Sequence, residues 1–200
     1  LEFTGDRKHP MLLNYRMNAG YIPRDHWIHG DEGGGRNIGE ACHIYDLFTC
    51  LTGSRVRAVG AKSIKPSTGY YSSRDNFIAT VSFEDGSVAT LVYTAMGSDE
   101  YPKEHLDVVC GSRIFILNDY TELMCYGIEE TPPSSPSSHA KKRVRGDVLI
   151  KSASDKGHFR EITDFAQAVL DNQPCPIPFW QQCQAMEIAF EVDRLISRWT

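Results

Sequence analysis

The chain has 200 residues, of which 41% are hydrophobic and 24% charged, with a formal net charge of −5. This composition suits one sizeable core and excludes a disordered chain, so a single domain over residues 1–200 is the starting expectation. The acidic balance argues against nucleic acid as a partner, and no apolar run approaches the ~20 residues of a membrane span.

The opening residues are polar and charged, which is not a signal peptide, and a cytoplasmic protein is expected. The chain starts Leu1-Glu2-Phe3 without a methionine and reads as a piece of a longer protein. Six cysteines (42, 50, 110, 125, 175 and 183) are widely spaced with no C-x-x-C pair, which fits buried thiols in a reducing compartment.

Residues 11–19 predict a strand with Leu13, Tyr15 and Met17 on one face and Asn14, Arg16 and Asn18 on the other. Residues 20–36 form a long loop with Tyr21, Trp27, two histidines and the run Gly33-Gly34-Gly35. A loop of this length is either functional or a surface excursion whose aromatics rest on the core. The glycine run could offer free N–H groups to an anion at the start of the next helix.

That helix spans 37–52. Asn37 is placed to cap it, Glu40 to complete a capping box, and Gly53 to end it in a left-handed conformation. Ile38, Ala41, Ile44, Tyr45, Leu47, Phe48 and Leu51 form its apolar arc. Gly39, His43, Asp46 and Cys50 form a separate stripe, and the chemistry is expected there. His43 is either a structural helical histidine or a group that exchanges a proton with a substrate hydroxyl. Asp46 either orients that imidazole or is a solvent-facing carboxylate. One histidine, one aspartate and one thiol on a straight helix cannot close a metal shell, so no metal is expected.

Strands are predicted at 55–65, 77–83, 88–96, 104–110, 113–117, 120–126 and 147–151, with Asp85-Gly86 and Gly111-Ser112 as hairpin turns. The stretch 129–145 is rich in proline and serine and ends in a basic run, which predicts a mobile loop. Two helices close the chain, at 159–170 and 182–199, both expected to pack on the core. The fold class is α+β: an open, mostly antiparallel sheet with helices on one face. The other face, rich in Val, Leu and Tyr, is left free for a partner subunit or another domain.

The segment GGGRNIGEACHIYDLFTCLTG resembles the second, C-terminal domain of the Gfo/Idh/MocA family of NAD(P)-dependent oxidoreductases. The NAGYIPRDHW loop, the strand meander and the ending from Gly157 to Ile196 also resemble that domain, so the likeness covers most of the chain. It is similar in particular to a branch associated with polysaccharide and sugar-nucleotide metabolism. By this resemblance His43 matches the catalytic histidine. Arg16, Asn18, Trp27, Arg36 and Asn37 would wall the substrate pocket, with Glu40 and Asp46 nearby and Arg36 able to hold a phosphate or carboxylate. The family's aspartate four residues before the histidine is Gly39 here. Either Glu40 stands in for it from a distorted first turn, or the branch works without that carboxylate.

The resemblance also implies NAD or NADP as cofactor, bound mainly by an N-terminal Rossmann domain that this chain lacks. It has neither a dinucleotide fingerprint nor the family's E-K-P lysine motif. The expectation is therefore a substrate-binding and oligomerisation domain for a sugar or sugar nucleotide, inactive by itself and a homo-oligomer through its open sheet face. Two other readings stand beside it: a non-catalytic ligand sensor or scaffold of the same fold, and an unrelated interaction domain with His43 buried far from any cleft.

Overall fold

A computed structural model describes residues 9–127, 146–151 and 156–197. The loop predicted at 129–145 lies outside them. The described strands are β1 (Leu12–Asn18), β2 (Val56–Ser63), β3 (Asn76–Phe83), β4 (Val88–Thr94), β5 (Glu104–Cys110), β6 (Arg113–Asn118), β7 (Glu122–Tyr126) and β8 (Asp147–Lys151). They form one sheet in the order β2-β3-β4-β1-β5-β6-β7-β8. Every neighbouring pair is antiparallel except β1 with β4. The fold is α+β with an open sheet, as the strand meander predicts.

The alternation read from the sequence sets the two faces. Leu13, Tyr15 and Met17 of β1 and Phe77, Ala79, Val81 and Phe83 of β3 are buried on one face. Against it lie α1 (Cys42–Thr52), through Ile44, Tyr45 and Phe48, and α3 (Phe179–Ile196), through Ala185, Ile188, Ala189 and Val192. Gln184, 1% exposed, ties the end of α1 to α3 and β2: its Nε2 donates to Thr49 Oγ1 and Ser54 O, and its Oε1 accepts from Val56 N. The six cysteines are free thiols, but against the expectation of burial only Cys125 is buried, with Cys50 and Cys175 exposed and the other three half-buried.

One helix departs from expectation. α2 (His158–Leu170) forms, but it does not pack on the core. Phe159, Ile162, Phe165, Val169 and Leu170 are 54–84% exposed, and only Ala168 is buried. An amphipathic period specifies that a face is apolar and leaves open what will meet it. The third helix also starts earlier than predicted, at Phe179 directly after Pro178, and Trp199 lies outside the described residues.

The opposite sheet face is uncovered among the described residues. Register places Ser82, Val88, Leu12, Val109, Ile114 and Tyr126 in one row across six strands. Leu12, Val88, Val109 and Ile114 are exposed there. Arg16 sits on this same face, paired with His105 and Val92.

Candidate functional site

The site is built where the glycine loop turns into α1. Gly33 passes so close to the chain that a Cβ there would lie 2.3 Å from Ile28 Cα, so only glycine fits. All three glycine N–H groups are taken: Gly33 and Gly34 donate to Gly30 O, and Gly35 donates to Ile28 O. The run therefore closes a tight turn and presents no free N–H cradle for an anion, contrary to the sequence expectation.

The first turn of the helix is not α. Residues Asn37–Ala41 form a π-turn, with Arg36 at its N-terminus and no side-chain cap. Asn37 does not cap the helix. It is 2% exposed, its Nδ2 donates to Ala189 O at 2.7 Å, and its Oδ1 accepts from Tyr45 Oη at 2.9 Å. Packing against α3 takes the Asn37 amide for a tertiary bond, and the chain widens its first turn instead. Isolated π-turns of this kind recur at functional sites.

Glu40 does not close a capping box either. Its carboxylate accepts from Arg36 Nη2 at 3.0 Å, from Lys103 Nζ at 2.6 Å and from Tyr93 Oη. Burial alone would raise its pKa. The hydrogen bonds from Lys103 and Tyr93, with the charges of Lys103 and Arg36, outweigh burial and hold it below the ordinary glutamate value. Burial, with Glu40's charge second, pushes the Tyr93 phenol far up, so it stays a donor. Arg36, 3% exposed, also donates to Ala19 O and Gly20 O, which anchors the end of β1 to the helix start.

His43 follows Glu40 by three residues and is exposed. Among the described residues no side chain hydrogen-bonds its ring. Gly39 above it is also exposed, so the imidazole faces open space rather than the core. Asp46 does not engage the ring: its Oδ1 accepts from Gln181 Nε2 of α3 at 2.9 Å. Burial, then Asp46's charge, pushes the Cys50 thiol up, which favours its neutral form.

The structure joins Arg36 to Glu40 directly, with His43 three residues further along the chain, and brings Asn18 into a pocket shared with Lys103. Arg16 is on the opposite sheet face, where its Nη1 donates to Tyr101 Oη at 2.7 Å and its guanidinium stacks 4.3 Å over the Tyr101 ring. Asn18, 9% exposed, donates to Ser98 O and Tyr101 O, fixing the loop before β5. Trp27 sits in a short 3-10 turn and is 62% exposed. Sequence reasoning missed Lys103 and Tyr93. They reach Glu40 from 63 and 53 residues away, a separation that no local pattern signals. Lys103 also walls a polar pocket of about 440 Å³ with Asn18, Ala19, Gly20, Tyr101 and Asp119.

With its N–H groups engaged, the glycine loop does not fit the pyrophosphate of a dinucleotide, and no cofactor step is assigned to this chain. Among the described residues no cluster of His, Cys, Asp or Glu could hold a metal, and no helix is long and apolar enough to cross a membrane.

No family model and no curated protein matches the sequence. Solved structures do match the fold. UDP-N-acetylglucosamine 3-dehydrogenase GnnA from Acidithiobacillus ferrooxidans is 19% identical, with a TM-score of 0.71 over 94% of this chain and 54% of its own. Levoglucosan dehydrogenase, in complex with NADH and L-sorbose, is 15% identical, with a TM-score of 0.73 over 98% of this chain and 58% of its own. An oxidoreductase domain protein from Kribbella flavida is 13% identical, with a TM-score of 0.70 over 96% and 58%. The fold is thus the one found in Gfo/Idh/MocA-type oxidoreductases. The chain spans a little over half the length of these matched chains, consistent with a C-terminal domain.

Proposed function

We propose that this chain is the substrate-binding and oligomerisation domain of an NAD(P)-dependent oxidoreductase that acts on a hydroxyl or keto group of a sugar or sugar nucleotide. The observation that carries the reading is His43: an exposed, unengaged imidazole three residues from the charged Glu40 node. Two of the fold neighbours are named as sugar-acting dehydrogenases, one of them bound to NADH, which agrees with it.

In this reading the chain contributes the proton and not the hydride. His43 takes the proton of the reacting hydroxyl as general base, or returns it in the opposite direction. Glu40, fixed by Arg36, Lys103 and Tyr93, supports the helix turn that presents His43 and stands in for the carboxylate missing at Gly39. The nicotinamide would be held by a dinucleotide-binding domain, so the 200 residues alone bind it poorly and turn over nothing. Subunits would pair through the apolar row on the open sheet face.

The test is turnover of the natural protein together with its dinucleotide-binding domain, followed as formation or loss of reduced nicotinamide. His43→Ala should lower kcat by about 10²–10⁴-fold, the usual contribution of a positioned acid–base group. Activity that survives His43→Ala would remove His43 as the acid–base group, and no turnover by the unmutated protein would support the ligand-sensor or scaffold reading of the same fold instead.

A further inference from the structure

A second pocket, distinct from the Glu40 node, lies beside the end of the glycine loop. Arg24, His29, Gly35, Ser72, Ser73 and Arg74 wall a space of about 380 Å³. Two chain segments that are remote in sequence, the loop 24–35 and residues 72–74, converge to place two guanidinium groups, one imidazole and two serines around it.

The donors are only partly used. Arg24 donates one bond, from Nη2 to Tyr71 O at 3.2 Å. Arg74 uses Nη2 alone, on Asp193 Oδ1 and Oδ2 at 2.8 and 3.0 Å, which leaves its Nε and Nη1. His29 Nε2 makes no hydrogen bond and stands 3.8 Å from Asp75 Oδ2, its ion-pair partner when the ring is protonated. Two carboxylates border the pocket. Asp193 is occupied by Arg74. Asp75 is buried and stands behind His29, and desolvation raises its carboxyl pKa against the pull of His29, Arg36, Arg74 and Arg24. The side facing solvent is therefore donor-rich.

We propose that this pocket is an anion subsite that takes the phosphate or diphosphate of a phosphorylated ligand. Guanidinium forks match the several oxygens of a phosphate group better than a single-point cation does. Gly35 of this pocket immediately precedes Arg36, whose guanidinium bonds Glu40. The inference deepens the proposed function, on which it rests for the ligand's identity alone: a substrate anchored here by a diphosphate is a sugar nucleotide rather than a free sugar.

Binding decides it without any turnover assay, so its failure is distinct from failure of the oxidoreductase reading. Pyrophosphate, uridine diphosphate and uridine are titrated calorimetrically into the protein at low salt. Pyrophosphate and uridine diphosphate should bind and uridine should not. Arg24→Gln should weaken both by roughly tenfold or more, the loss of one charge-assisted hydrogen bond. Ser73→Asp, which puts a carboxylate into the pocket, should abolish binding and serves as the second variant should Arg24→Gln not fold. Uridine diphosphate binding more tightly than pyrophosphate identifies a nucleoside diphosphate as the ligand, and equal affinities identify any phosphate. No pyrophosphate binding, or binding unchanged in the folded variants, overturns the proposal.

Discussion

Lys103 Nζ lies 2.6 Å from Glu40 Oε1, joining the loop before β5 to the π-turn ahead of α1. With Arg36 and Tyr93 on the same carboxylate, the pair fixes the π-turn that leads into the helix carrying His43. Because Glu40 is held below its ordinary pKa in the folded chain, its ionised form is the stabilising one. That contribution is complete above the unfolded glutamate value and is lost as pH falls through the lower folded value. Stability measured by denaturant titration should therefore drop on acidification below about pH 4.5, and Glu40→Gln should flatten that part of the profile. Lys103→Met, at a half-exposed ammonium, should cost no more than about 1 kcal/mol. Arg36→Met, at a buried guanidinium, should cost about 3 kcal/mol.

Asn37 separates a helix cap from a tertiary clamp. In a cap, aspartate replaces asparagine without loss. Here the Asn37 amide must donate to Ala189 O as well as accept from Tyr45 Oη, and the site is buried. Asn37→Asp removes the donor and buries a charge, and Asn37→Ala leaves both partners unpaired. Each should destabilise by roughly 2–3 kcal/mol in thermal or chemical melts. A neutral Asn37→Asp would show that the side chain caps the helix after all.

Gly33 is required by close approach. A methyl group there meets Ile28 backbone atoms at 2.3–2.6 Å, and backbone cannot swing aside as a side-chain tip can. Gly33→Ala should cost about 2 kcal/mol or more by overpacking and should shift the amide resonances of the 28–40 segment. Gly69→Ala, with nothing within 4 Å of the added carbon, is the control and should leave stability unchanged.

His43 and Ile162 are both exposed for different reasons, and stability reads them alike. His43→Ala breaks no hydrogen bond among the described residues, so it should change stability by no more than about 0.5 kcal/mol while removing activity. Ile162, 69% exposed on α2, makes Ile162→Ser equally neutral for the fold. A large loss from Ile162→Ser in melts of the isolated protein would mean that the α2 apolar face is covered in solution.

Much of the architecture was legible in the residues. Alternation in 77–83 and around Leu13, Tyr15 and Met17 assigned strands and their buried faces, because side chains on a strand point to opposite sides in turn. Asp85-Gly86 and Gly111-Ser112 marked hairpins because the chain there needs positive φ, which Gly86, Gly111 and Ser112 adopt. The helix end at Gly53, with φ of 60°, followed from the same steric rule. The 3.6-residue period set the stripe Gly39, His43, Asp46 and Cys50 apart from the apolar arc, and His43 is exposed on it.

The site's wiring was decided only by tertiary structure. Asn37 and Glu40 fit a capping box by spacing, yet Ala189, Tyr45, Lys103 and Tyr93 arrive from distant segments and take both side chains away from the helix end. Arg16 shares its strand with Tyr15 but faces the other side of the sheet. The pattern of α2 declared an apolar face without specifying its partner, and the described chain supplies none for most of it. Local sequence determines backbone preference and face polarity, since both are set by neighbours within a few residues. Which distant donor satisfies a given carboxylate or amide depends on the three-dimensional meeting of segments, and a linear pattern does not contain that.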